Sequence, residues 1–133
     1  MKTFKQYIQE KLTLSVVEAI QIKDVGEAAA KVDTGNEAFN VLHGTDIEHT
    51  ERGVKFKTLH DKAMEKPILK EIEINIGSGN LEKRPVVEIE FTMRGRTYTK
   101  PFSIADRSTN DEPVLLGEVF LREIDAVVDV NRQ

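Results

Sequence analysis

Between residues 68 and 105 the chain alternates apolar and polar side chains in three runs separated by two short glycine-containing breaks. ILKEIEINI sets Ile68, Ile72, Ile74 and Ile76 on one face of an extended strand, with Glu71, Glu73 and Asn75 on the other. A period of two is strand geometry, because successive side chains of a strand point to opposite faces. GSGN at 77–80 and Arg94-Gly95 are turn chemistry, since glycine accepts positive φ without steric cost. PVVEIEFTM and RTYTKPFSIA, joined at Arg94-Gly95, read as a hairpin. The whole stretch is therefore committed to antiparallel β structure.

The remainder has the same texture. LSVVEAIQIKDV is rich in β-branched residues and ends at Gly26, and AAAKVD is a second short strand. GVKFKT alternates, VLLG is a short fully apolar strand ending at Gly117, and AVVDV is a closing strand. EVFLREI spaces Val119, Phe120 and Ile124 for one short helix. The segment from Asn36 to His49 has no clean period and reads as loop with one short strand. At the other end, MKTFKQYIQEKL puts Phe4, Tyr7, Ile8 and Leu12 on one helical face, an amphipathic helix over residues 2–12. Short strands with frequent turns mean a mostly-β fold, a small closed barrel or sandwich, with one short C-terminal helix. The expected division is an N-terminal amphipathic segment, 1–13, and one domain, 14–133.

Length and charge narrow the function. A chain of 133 residues has room for one real core. With 23 acids against 19 bases spread among one another, it lacks the clustered basic surface of a nucleic-acid binder. No apolar run approaches the roughly 18 to 20 residues that cross a bilayer, so no membrane partner is expected. The sequence has no cysteine, which excludes disulfides, thiolate catalysis and Cys-ligated zinc. That usage fits an intracellular setting.

The chemistry-bearing stretch is AAAKVDTGNEAF, residues 28–39, where Asp33, Thr34 and Gly35 follow a small apolar run. An acid leaving a strand into a glycine turn is either a turn former or a catalytic group. The later VLLG segment helps to decide. Asp-Thr-Gly after an apolar strand, and some eighty residues later an apolar-apolar-Gly segment leading into a short helix, resembles the retropepsin-like aspartic peptidases. The similarity extends to a bacterial branch encoded near ATP-grasp glutamate ligases and once labelled ATP-dependent zinc proteases. It rests on AKVDTG, Leu42-His43, GSGNLEKRPVV, Ala105-Asp106-Arg107-Ser108, Leu115-Leu116-Gly117 and Val128-Asp129, over roughly residues 15 to 130. Two positions depart from the pattern. Asn36 stands where Ala or Ser is usual, and Glu118 stands where an Arg normally pairs with an acid just beyond the triplet. Here that acid is Glu37, so the two positions carry like charges. Arg84 and Arg107 are the candidates to take over.

The resemblance implies a closed retropepsin-like barrel and a homodimer. Hydrolysis by carboxylates needs two of them about 3 Å apart sharing one proton. The chain offers one Asp-Thr-Gly, so the mechanism needs a second chain across a two-fold axis, and it calls for no metal or cofactor. Asp33, Thr34 and Gly35 would be catalytic: Thr34 would bond across to the partner loop, and Gly35 would admit close approach of backbone. Gly77, Ser78 and Gly79 would form a substrate-binding flap, or else a plain hairpin turn. Leu115, Leu116, Gly117 and Arg107 would support the site. The substrate would be a peptide or protein. His43, His49 and His60, with Asp46 and Glu48, suggest a metal site only weakly, because no pair sits at i, i+4 on a helix.

The N-terminal MKTFKQYIQE also resembles the leaders of tailed-phage head proteins, where Ile8-Gln9-Glu10 would mark a maturation cleavage. That resemblance implies the alternative, a virion structural protein contacting other virion proteins through a peptidase-like barrel. The expected location is the cytoplasm of a bacterium or phage-infected host, or the virion.

Overall fold

The structure, a computed structural model, describes residues 12–35 and 39–131. The helix expected from residue 2 lies, up to residue 11, outside the described residues, as do Asn36 and Glu37. In chain order come β1 (Thr13–Leu14), β2 (Val17–Ile22), β3 (Gly26–Val32), β4 (Asn40–His43), β5 (Thr45–Thr50) and β6 (Gly53–Lys57). A 3₁₀ turn (Leu59–Asp61) precedes β7 (Ala63–Lys66), β8 (Lys70–Gly77), β9 (Asn80–Met93) and β10 (Arg96–Ala105). Then follow β11 (Val114–Leu116), helix α1 (Glu118–Glu123) and β12 (Val127–Val128). The fold is mostly β, with one short C-terminal helix, as the alternation requires.

Both glycine breaks are two-residue hairpin turns. Ser78 and Gly79 have φ of 51° and 79°, and Arg94 and Gly95 have 52° and 75°. Positive φ at both central residues is the type I′ signature, whose twist matches that of the flanking strands. Ser78-Gly79 joins β8 to β9, and Arg94-Gly95 joins β9 to β10.

The main sheet has seven strands in the order β10-β4-β11-β3-β2-β9-β8, and β9 also pairs with β10. Hydrogen bonding therefore runs from β10 through β4, β11, β3, β2 and β9 back to β10. Strand β8 hangs outside this circuit as an edge, bonded to β9. Strands β5, β6 and β7 form a separate three-stranded sheet, and β1 pairs in parallel with β12.

The segment from Asn36 to His49, expected as loop with one short strand, holds more strand than that in its described part. It carries two strands, β4 and β5, for opposite reasons of burial. Asn40, Val41 and Leu42 are all buried, because β4 lies between β10 and β11, so inward and outward positions look alike. In β5 nearly every position is exposed, and the pairing with β6 slips between Thr45 and Glu48. Neither pattern has a period of two. The isoleucine face of β8 is real, but Ile72 and Ile74 are only half-buried and Ile76 is exposed.

Inside the circuit sits one large apolar cluster. Its aromatic centre is Phe91, with ring centroids 5.5 Å from each of Tyr98, Phe102 and Phe120. The edge-on contacts of Phe91 with Phe102 and Phe120 suit the ring quadrupoles. Phe120 and Leu121 of α1 enter the same cluster, which fixes the helix against the sheet. One charge is buried with them. Glu18 accepts from Arg94 Nε and one terminal guanidinium nitrogen, both at 2.7 Å, and from Ser15 N–H at 2.6 Å. Among the described residues no helix is long and apolar enough to cross a membrane.

Candidate active site

Asp33 is the first residue past β3, and the strand beside it is β11. These two pair in parallel, with Ala30 opposite Val114, Lys31 opposite Leu115 and Val32 opposite Leu116. The pairing continues one step into the turn, where Asp33 N–H donates to the Leu116 carbonyl at 3.0 Å. On the other side, Val32 N–H donates to the Val16 carbonyl at 2.9 Å. The Asp-Thr-Gly turn is thus anchored by main chain from two directions. Its carboxylate Oδ1 accepts Gly35 N–H at 3.0 Å, a local turn that holds the acid in one orientation. Asp33 is half-buried, whereas Thr34 and Gly35 are exposed. A Cβ at Gly35 would meet Asp33 Oδ1 at 3.5 Å, an ordinary contact, so among the described residues the protomer itself places no steric demand for glycine there.

Leu115 and Leu116 lie on β11 opposite Lys31 and Val32 of the strand that leads into the triplet, and Gly117 follows them. Gly117 then turns the chain into α1, with Leu121 N–H donating to the Gly117 carbonyl at 3.1 Å. Its own buried N–H donates to Asn40 Oδ1 at 2.8 Å. Asn40, 4% exposed, opens β4 and ties that strand to the start of the helix. Sequence reading missed this residue. The signal was a buried-type apolar run opened by an amide, but its partner lies 77 positions away.

Arg107 joins the same neighbourhood from the loop between β10 and β11. Its main-chain N–H donates to His43 Nδ1 at 2.9 Å, and its Nε donates to the Glu112 carbonyl at 3.0 Å. Burial pushes the guanidinium below its usual value; the Glu112 charge raises it, Arg84 lowers it and Asp33 raises it. The charges of Asp33 and Arg84 therefore both reach the Arg107 guanidinium. Lys31, Arg107, Asp111 and Glu112 line a polar cavity of about 200 Å³ there. Thr34 faces another, of about 270 Å³, walled by Glu118, Leu121, Arg122 and Ala126.

Glu118, at the family's arginine position, forms an i, i+4 ion pair with Arg122 on its own helix. Its charge is met locally, and Glu37, the other half of the expected repulsion, lies outside the described residues. Gly77, Ser78 and Gly79 are exposed at the tip of the β8–β9 hairpin. Arg84, on the second arm, acts on Arg107 as a like charge, and its Nε donates to Glu82 at 2.6 Å. The three histidines go to different partners: His43 to Arg107 N–H, His49 to Glu71 Oε1 at 2.7 Å, and His60 to the Glu27 carbonyl at 2.7 Å. Among the described residues no three His, Asp or Glu side chains gather as metal ligands.

A circuit of short strands that presents Asp-Thr-Gly against an apolar strand ending in glycine is the architecture of a retropepsin-like protein. The chain belongs to the RimB-like family, described as retropepsin-like aspartic endopeptidase RimB, whose model matches residues 13–133. Among solved structures, the chain is similar to Lpg0085 of Legionella pneumophila subsp. pneumophila str. Philadelphia 1, a protein with unknown function (DUF785). The two share 23% identity with a TM-score of 0.78, over 92% of this chain and 95% of that one. At that identity the likeness shows the fold. No curated protein matches the sequence.

Proposed function

We propose that the protein is a homodimeric aspartic endopeptidase acting on a peptide or protein substrate, with the strand circuit forming the small barrel of its family. The observation that carries this reading is the state of Asp33. It is half-buried and held at Oδ1 by Gly35 N–H, while the neighbouring Thr34 and Gly35 stay open. A turn so presented can meet its own copy across a two-fold axis. Two such carboxylates would share one proton, since both cannot ionise side by side. The ionised one would take a proton from water as it attacks the scissile carbonyl, and the protonated one would donate to the carbonyl oxygen. Gly77, Ser78 and Gly79, on a hairpin whose second arm carries Arg84, would close over the substrate.

A second reading is a virion assembly module that keeps the fold and leaves Asp33 idle. Glu118 favours it, because the position that carries an arginine in the resembled family supplies an acid here, and that acid pairs with Arg122 of its own helix. One experiment separates the two. Wild type and Asp33→Asn are compared for cleavage of a denatured protein between about pH 4 and 7, with sedimentation to read the assembly. The endopeptidase reading expects a dimer and a loss of about 100-fold or more in the variant, the scale of an acid–base group. Equal rates in the two proteins would overturn it.

A further inference from the structure

His43 is a titratable group that the proposed reaction does not use, and it is bonded into the fold close to Arg107. It ends β4, and its main chain is fixed on three sides. His43 N–H donates to the Pro113 carbonyl at 2.8 Å, Thr58 Oγ1 donates to the His43 carbonyl at 2.7 Å, and the following Gly44 N–H reaches the Ala105 carbonyl at 3.0 Å. The imidazole is half-buried. Its Nδ1 accepts the Arg107 main-chain N–H at 2.9 Å. A nitrogen that accepts a hydrogen bond carries no proton, so this contact exists only for the neutral ring with its proton on Nε2. Protonation turns Nδ1 into a donor and sets two N–H groups against each other.

The surroundings give the protonated ring somewhere to turn. Asp106 Oδ1 lies 3.8 Å from the same Nδ1, close enough for an ion pair after a small shift. That carboxylate is already positioned by Ser108 N–H at 2.8 Å. The other charged groups on this loop are Arg107, Asp111 and Glu112, and the Glu112 carbonyl holds Arg107 Nε. From the other elements around His43 come Ala105 of β10, Pro113 before β11 and Thr58 beyond β6, none of them titratable. The choice is therefore binary: a neutral ring bonded to the Arg107 backbone, or a charged ring turned to Asp106.

We propose that His43 is a pH-sensitive latch on the loop of residues 106–112, holding Arg107 in place beside the Asp33 turn when neutral and releasing it when protonated. Release frees one main-chain N–H and loosens the segment that carries the Arg107 guanidinium. The consequence for catalysis rests on the endopeptidase reading: the position of a cation next to the acidic dyad then changes as pH falls. His43 is a positioning residue in this scheme, acting through Arg107 and touching no substrate.

The test uses the full chain and two variants. Asn places a carbonyl oxygen near where Nδ1 sits and cannot be protonated, so His43→Asn keeps the acceptor and removes the switch. His43→Phe removes both. Amide exchange at Arg107 is followed by NMR against pH, alongside the His43 ring proton shift. In wild type, Arg107 protection should fall by tenfold or more in step with the ring titration. In His43→Asn it should stay high throughout, and in His43→Phe it should be low at every pH. Arg107 protection that ignores the ring titration, or that falls equally in His43→Asn, overturns the latch. The proteolytic arm is read separately: a pH–rate profile that changes shape in His43→Asn but not in a distant control supports the link, and identical profiles overturn it. If the amide titrates as described but Asp33→Asn cleaves as well as wild type, the latch stands and the endopeptidase reading falls.

Discussion

Removing the amide of Asn40 tests whether the site is built on a hydrogen bond that crosses the fold. Asn40 Oδ1 accepts the N–H of Gly117 at 2.8 Å, and both residues are buried. Gly117 is the pivot between β11, which backs the Asp33 turn, and α1, so its N–H has no helix partner of its own. Truncation to Ala leaves that donor orphaned, at a cost of about 1–3 kcal/mol. The position in that range depends on water. Asn40 also lines an apolar groove of about 300 Å³ with Phe39, Pro101, Val119 and Phe120, open enough to admit solvent to the vacated space. Asn40→Ala should therefore fall near the low end, about 1 kcal/mol, with water replacing the carbonyl. Asn40→Leu fills the space with apolar atoms, excludes that water and should cost about 3 kcal/mol. With a urea slope of about 2 kcal/mol/M, the midpoint should drop by about 0.5 M for Ala and about 1.5 M for Leu. Equilibrium unfolding at one fixed protomer concentration reads both, since a dimer's apparent stability moves with concentration. A Leu variant as stable as wild type, or one more stable than Ala, refutes the reasoning that this bond is an obligatory cross-link.

Two further outcomes follow from the core. Arg94→Met leaves the Glu18 carboxylate, 5% exposed, with the N–H and hydroxyl of Ser15 as its partners and should destabilise by about 3 kcal/mol at neutral pH. Burial raises the Glu18 carboxyl, but the Arg94 hydrogen bonds, the Ser15 N–H, the Arg94 charge and the Ser15 hydroxyl outweigh it and hold the group below its ordinary value. Its stabilisation is thus fully present above the unfolded carboxylate range of about 4.3 and is lost as pH falls through the lower folded value. Urea titrations should show the gap between wild type and Arg94→Met closing below about pH 4; a gap that stays constant there contradicts the pairing. Gly44→Ala adds a Cβ that overlaps Ile104 Cγ2 and comes 3.0 Å from Phe56 Cδ2, two fully buried side chains. Thermal unfolding should report a loss of about 1–3 kcal/mol, and an unchanged midpoint would mean the β4–β5 corner yields freely.

What the sequence made legible and what it hid follow one physical division. Alternation is a record of one-sided burial, so the long arms of β8, β9 and β10, and the type I′ turns at Ser78-Gly79 and Arg94-Gly95, could be read directly. Strand β4 is buried across Asn40, Val41 and Leu42, and β5 is exposed or half-buried throughout, so neither keeps a period of two and the segment reads as loop with one short strand. The site divides the same way. Asp33, Thr34 and Gly35 announce themselves because the turn chemistry is local, and Leu115, Leu116 and Gly117 because an apolar run stops at glycine. Asn40 and His43 matter through partners 77 and 64 residues away, Gly117 and Arg107; the insertion of β11 between β3 and β4 brings Gly117 within reach, and the pairing of β4 with β10, Ala105 opposite His43, brings Arg107. That insertion makes one strand serve two neighbours. Its parallel side carries the Asp33 turn through the Leu116 carbonyl, and its antiparallel side faces the strand that bears Asn40 and His43. A disturbance on the β4 side therefore reaches Asp33 through one intervening strand, which is why the Asn40 and His43 variants probe the candidate site without touching its acid.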